Sequence, residues 1–168
     1  MAPTIKTLDE IEIMREAGRI AARALMSMGE MVAPGVSTLD LDRRAEEVIR
    51  AAGAECEFNG YGPHGGFPGN VCASINEEVV HGIPSADRIL REGDVVSLDV
   101  GARHDDYVGD TARTFPVGEV SKEAAELIAA TEVSLRRAIA EIRPGVRLRE
   151  VSEAVQQLAE ERGYGIVR

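Results

Sequence analysis

The chain has 168 residues, 44% hydrophobic and 29% charged, which is enough apolar material for one sizeable core and too much for a disordered polypeptide. Nineteen basic against 29 acidic residues give a formal charge of -10, which repels phosphate backbones and anionic lipid surfaces, so nucleic acid is excluded as a partner. No run approaches the ~20 apolar residues of a membrane span, and the start MAPTIKTLDEIEIM lacks a signal-peptide core, so no membrane is expected and the cytoplasm is the expected compartment. The two cysteines, Cys56 and Cys72, form no C-x-x-C pair and supply too few thiols for a disulfide framework or a zinc knuckle.

Thr7-Leu8-Asp9-Glu10 has the form of a capping box, and Ile11, Met14, Gly18, Ala21, Leu25, Met28 and Val32 recur every three or four residues. A long amphipathic helix is predicted there, stopped by Pro34-Gly35. A second helix is predicted from near Thr38, burying Leu41, Ala45, Val48 and Ile49 and ending at Gly53. From there to about residue 118 the texture is that of sheet: Val71 to Ile75, Val79 to Val80, Val95 to Val100 and Thr111 to Val117 are short β-branched runs between Gly- and Pro-rich turns. Helical spacing returns after Ser121 through Leu127, Ile128, Leu135, Ala138, Ile139 and Ile142. Pro144-Gly145 ends it, and a last helix runs to Gly163.

The two Pro-Gly stops belong to a repeat. Pro34-Gly35-Val36 to Gly53 and Pro144-Gly145-Val146 to Gly163 superpose under a shift of 110 residues, which also lays Leu25 on Leu135, Val32 on Ile142 and Leu41 on Val151. This suggests a duplication whose first copy continues into some sixty residues of sheet, residues 54 to 118, whereas only five residues follow Gly163. The expectation is a chain that ends inside its second half.

GDVVSLDVGARHDDYVGDTARTF, residues 93 to 115, reads as a β-hairpin with an aspartate inside each arm. A reversal centred on His104 and Asp105 would pair residues whose numbers sum to 209, setting Asp99 directly opposite Asp110. Their Cβ atoms would then be about 4.5 to 5.5 Å apart, and the charges would repel by about 3 kcal/mol at an effective dielectric of about 20. A shared proton, an intervening arginine or one or two divalent cations could compensate. Arg113, three residues past Asp110, falls on the other strand face, so metal is favoured; the competing reading makes Asp110 a turn residue and Asp99 a lone hydrogen-bonded core carboxylate. His81 ends an apolar run beside Gly82, where its ring could reach a cleft, although a lone histidine is more often structural. His104 is predicted in the turn and solvated. His64 lies in Tyr61-Gly62-Pro63-His64-Gly65-Gly66-Phe67-Pro68-Gly69-Asn70, a loop without the strand and helix flanks of a phosphate cradle.

Together VCASINEEVVHGIP (71 to 84), the hairpin (93 to 115), PGVSTLDLD (34 to 42) and PGVRLREVSEAV (144 to 155) closely resemble type I methionine aminopeptidases, and the likeness covers essentially the whole chain in order. The resemblance implies an α/β (α+β) pita-bread fold in which helices flank an antiparallel sheet in two pseudo-symmetric halves. Here these would form one incomplete catalytic unit, its first half at about 1–118 and the start of its second at about 119–168. It implies a cytoplasmic metallo-exopeptidase that removes the initiator methionine when the next residue is small, using two divalent metal ions, manganese, iron, cobalt or zinc. Asp99 would bind one metal and Asp110 bridge both, His81 would contact substrate near the scissile amide, and Tyr61, Phe67 and Cys72 would line the methionine pocket with His64 near its entrance. Two residues are inserted around 61 to 67, and Phe67 replaces the more usual tyrosine. The implied partners are an N-terminal-Met peptide or nascent chain and the ribosome exit region, with the full-length protein a monomer.

In the family the remaining ligands, one histidine and two glutamates, come from the second half, and none is assignable here. The 168 residues alone are therefore expected to bind metal weakly and hydrolyse little, and to expose apolar surface and sheet edges. Two alternatives stand beside this reading: a proline-directed aminopeptidase relative, and a non-catalytic pita-bread protein that binds peptides without metal.

Overall fold

The computed structural model describes residues 4–63 and 65–166. Two compact units divide at Val120/Ser121. The first holds helices α1 (Leu8–Gly29) and α2 (Thr38–Ala51) and strands β1 (Glu55–Cys56), β2 (Val71–Ile75), β3 (Val95–His104) and β4 (Tyr107–Pro116); the second holds α3 (Lys122–Ala140) and α4 (Leu148–Glu161).

The helix starts are written in the sequence. Thr7 Oγ1 accepts the Glu10 N–H at 3.2 Å while Glu10 accepts the Thr7 N–H at 2.7 Å, closing the capping box. Ser37 and Asp40 repeat the arrangement at α2. α1 stops at Gly29, a turn earlier than its apolar periodicity suggests, because Pro34 cannot extend a helix and biases its predecessor away from helical geometry. Gly29 itself is where the Phe115 ring seats, since a Cβ there would lie 2.3 Å from the ring.

β3 is the central strand. β4 pairs antiparallel along one edge, while β2 and then β1 pair end to end along the other. Alternation sends Val96, Leu98, Val100 and Ala102 into the core under α1 and α2, where they meet Ile20, Met28, Leu41 and Ile49, all 0–1% exposed. α1 crosses β4 closely at Gly109, where a Cβ would stand 2.4 Å from the Ala17 and Gly18 backbone. Only glycine permits that approach.

Two expectations are corrected. Val79 and Val80 form no strand; they sit in an irregular loop, 66% and 63% exposed. His104 is not in the turn but is the last residue of β3, paired with Tyr107 and half-buried.

Within each unit the helix pair is joined in the same way under the shift of 110 residues. Gly35 and Gly145 have φ of 93° and 86°, and Gly53 and Gly163 of 72° and 75°. The Val36 N–H to Ala33 carbonyl bond recurs as Val146 to Arg143, both at 3.2 Å, and Ala54 to Ile49 recurs as Tyr164 to Ala159. Exposure differs between the copies: Leu25 is 5% exposed against the sheet, whereas Leu135 in the helical second unit is 57% exposed.

Candidate functional site

With even-numbered β3 residues in the core, Ser97, Asp99, Gly101 and Arg103 line the opposite face. The register there differs from expectation. The reversal is the two-residue turn Asp105-Asp106, with φ of 46° and 65°, so paired numbers sum to 211: Asp99 faces Ala112, and Asp110 faces Gly101. Positive φ at both turn positions matches the twist of the flanking strands, and aspartate tolerates it better than most residues. The two aspartates are therefore diagonal neighbours on one face, at strand positions about 7–8 Å apart, and the Asp110 carboxyl comes close enough to act on Asp99 both by its charge and by a side-chain hydrogen bond.

Asp110 is mid-strand in β4, which removes the reading of it as a turn residue. Arg113 faces the other way and lies over the Phe115 ring at 5.6 Å, so it does not neutralise the pair. Burial first, and then the Asp110 charge, push the Asp99 carboxyl up to about 6. Asp99 Oδ1 is buried without a hydrogen-bond partner.

β2 supplies the next member. Cys72 lies directly across from Asp99, 6% exposed, and burial together with the Asp99 and Asp110 charges pushes its thiol up to about 11. It is a protonated apolar wall rather than a nucleophile at neutral pH. After Ile75 the chain loops back so that the Ala73 N–H donates to the Gly82 carbonyl at 2.9 Å and the Gly82 N–H to Ser74 Oγ at 3.1 Å. A Cβ on Gly82 would meet the Ala73 carbonyl oxygen at 2.2 Å, so glycine is required. His81, just before it, is held at φ 61°, a conformation that costs a non-glycine residue about 1–2 kcal/mol and persists only where the surroundings impose it.

The glycine-rich segment closes on itself. The Gly60 N–H donates to the Phe67 carbonyl at 2.9 Å and the Phe67 N–H to the Tyr61 carbonyl at 2.8 Å, and Gly66 passes so near Gly60 that a Cβ would meet its backbone at 2.2 Å. This brings both aromatic residues to the site. His64 lies outside the described residues.

The result is a cavity of about 470 Å³ lined by Tyr61, Phe67, Cys72, His81, Asp99 and Asp110 together with Glu57, Phe58 and Val108. The last three were not singled out from sequence. Glu57 continues the β1 pairing, donating its N–H to the Gly101 carbonyl at 3.0 Å, and so stands on the aspartate face; its Oε2 lies 3.1 Å from Arg103 Nε without hydrogen-bond alignment. Its only sequence signal was its position two residues past Glu55, in a strand too short to show alternation.

The donors suit a hard divalent cation: an orphaned buried carboxylate oxygen on Asp99 and a second carboxylate on the same face. Among the described residues no group of three or more His, Cys, Asp or Glu side chains is arranged to hold an ion. None of the described helices is long and apolar enough to cross a membrane.

The methionine aminopeptidase of Clostridium acetobutylicum is 48% identical over 98% of this chain, and methionine aminopeptidase 1 of Bacillus subtilis is 44% identical over 97%. The chain spans about 64% of the length of these curated relatives. Among solved structures, the methionine aminopeptidase of Thermotoga maritima superposes with a TM-score of 0.94 at 39% identity, covering 98% of this chain and 65% of that one. The prolidase of Pyrococcus furiosus superposes at 0.83 with 27% identity, covering 96% and 45%. These neighbours share the pita-bread fold, and residues 12–168 match the sequence model of metallopeptidase family M24, which implies divalent metal as cofactor: the chain belongs to that family.

Proposed function

We propose that this chain serves the removal of N-terminal methionine from polypeptides with a small second residue, in the cytoplasm, on nascent chains near the ribosome exit or on free N-terminal-Met peptides. The observation that carries this is one pocket with an apolar wall of Phe58, Tyr61, Phe67 and Cys72 and an acidic floor of Asp99 and Asp110. A methionine side chain is unbranched and polarisable and packs well against aromatic rings, so the wall suits it. His81, on the same pocket, is the polar group available to hydrogen-bond the scissile amide.

Asp99 and Asp110 would hold the cofactor, for which two ions among manganese, iron, cobalt and zinc fit carboxylate-rich ligation. When bound, such ions supply Lewis acidity at neutral pH. Because no group of three or more His, Cys, Asp or Glu side chains among the described residues is arranged to hold an ion, the 168 residues bind metal weakly and hydrolyse little by themselves. The full-length protein would work as a monomer. A proline-directed activity is the second reading, supported by the superposition on prolidase; the aromatic wall favours methionine.

Isothermal titration with manganese, comparing wild type with Asp99→Asn and Asp110→Asn, tests the site. Weak heats in the wild type that vanish in both variants are expected. Identical heats in all three proteins would remove the metal reading and leave peptide binding without catalysis. Met-Ala-Ser and Ala-Pro-Ala peptides then separate the two peptidase readings: selective binding of the first is expected, and selective binding of the second would reverse the choice.

A further inference from the structure

The loop that carries His81 is closed at its neck by side chains remote from the pocket. Arg88 Nη1 donates to the Ala73 carbonyl at 3.0 Å and to the Ile83 carbonyl at 2.6 Å, and Arg88 Nη2 pairs with the Glu78 carboxylate. Glu78 in turn accepts the Ile75 N–H at 2.8 Å. The guanidinium therefore binds the strand before the loop, the turn at its start and the residue two past the histidine.

Arg88 is itself anchored. Its carbonyl accepts the Thr38 N–H at 2.9 Å, and Thr38 Oγ1 exchanges bonds with Ser85, accepting its N–H at 2.9 Å and donating to its carbonyl at 3.2 Å. Leu90, 1% exposed, pins the segment into the core and donates its N–H to the Val36 carbonyl at 2.9 Å. A rigid frame thus runs from the start of α2 through residues 85–90 to the loop neck. The planar guanidinium presents donors in fixed directions to three acceptors at once, the Ala73 and Ile83 carbonyls and the Glu78 carboxylate.

We propose that Arg88, with Glu78 as its counter-charge, is a positioning residue that holds His81 in its left-handed conformation and aims the ring into the pocket. The proposal rests on the reading of His81 as the substrate-contacting histidine, and its test reads the loop directly.

The experiment uses NMR and amide hydrogen exchange on the 168-residue chain, with the His81 ring signals assigned by His81→Gln. In Arg88→Ala the Gly82 amide should exchange at least about tenfold faster, as loss of charge-assisted bonds that close a local opening requires. The His81 ring resonances should shift or broaden, while the Leu98 and Val100 amides of β3 keep wild-type exchange. Arg88→Lys should restore part of the wild-type ring signature, because an ammonium reaches one carbonyl but not the whole set. Glu78→Gln keeps an acceptor for the Ile75 N–H and removes only the charge, and should change both readouts in the same direction by a smaller factor; it carries the test if Arg88→Ala loses its fold. Wild-type ring resonances and Gly82 exchange in Arg88→Ala, or in Glu78→Gln where the alanine variant does not fold, overturn the proposal. A freed loop with unchanged peptide binding would support the clamp and count against His81 as the substrate contact.

Discussion

The Asp42 carboxylate, projecting from α2, accepts the Asn70 backbone N–H at 2.6 Å, the Asn70 side-chain amide at 2.8 Å and the Val71 N–H at 3.1 Å. Asp42 is 5% exposed, so these donors are its solvation. Asn70 passes the restraint on, its amide oxygen accepting from Asn59 at 3.1 Å, so one buried carboxylate fixes both ends of the loop that bears Tyr61 and Phe67. Asp42→Asn turns one oxygen into an amide donor that faces N–H groups. A loss of about 2–3 kcal/mol in urea unfolding is expected, with faster amide exchange at Asn70 and Val71. A loss below about 0.5 kcal/mol would mean that the loop is held by other contacts.

Two glycines near one crossing should respond with opposite signs. Gly109 in β4 runs against the α1 backbone, where a Cβ would stand 2.4 Å from Ala17 and Gly18 atoms that cannot swing aside. Gly18, inside α1, has nothing within 4 Å of a built Cβ. Gly109→Ala should therefore cost about 2–4 kcal/mol, whereas Gly18→Ala should stabilise by about 0.5–1 kcal/mol through helix propensity alone. Thermal melts of the pair decide it, and equal shifts in one direction would contradict the crossing described above.

The cysteines offer a chemical probe of site charge. Burial pushes both thiols up to about 11, but the secondary causes differ: Asp99 and Asp110 act on Cys72, whereas Glu46, Arg50 and Asp42 act on Cys56. Both should alkylate slowly with iodoacetamide at neutral pH and faster as pH rises towards 10. Asp99→Asn should speed Cys72 alone. Equal acceleration of Cys56 would show general loosening rather than removal of a local charge.

Legibility followed periodicity. Helix starts at Thr7 and Ser37, the glycine C-caps and the core face of β3 depend on patterns within a few residues, and they stand where the sequence places them. The face shared by Asp99 and Asp110 was legible for the same reason. Alternation fixes the parity of a hairpin's pairing sum but not its value, so 209 and 211 predict the same face and different partners. What set the register was a positive-φ pair at Asp105-Asp106, which lacks the glycine that usually marks such a turn. Val79 and Val80 read as strand because β-branched residues favour it, yet the Glu78–Arg88 pair and the Gly82 return to β2 impose a loop. Arg88, Asp42 and Glu57 act through contacts far apart in the chain, and no local pattern announces those.

The raised Asp99 carboxyl gives the protein a stability profile with a definite sign. Its folded value is about 6 against an ordinary 3.8, so between these values the native state holds a proton that the unfolded chain has released. Stability from this group is complete below pH about 4, falls as pH rises through about 6 and is flat above. Glu10, held down to about 2 by bonds from Thr7 and Tyr107, works the other way at lower pH, so the wild type is best compared with Asp99→Asn rather than with itself. The variant should match the wild type at pH 4 and exceed it at pH 8 by about 1 kcal/mol, a figure reduced from the full shift because the carboxyl is partly exposed to solvent screening. Manganese should then raise the wild-type urea midpoint at pH 8 while leaving Asp99→Asn unmoved, since a cation stabilises only a native state that binds it. Equal stability of the two proteins at pH 8 without metal would mean that Asp99 carries no burden from burial or from Asp110, and that the orphaned oxygen is solvated.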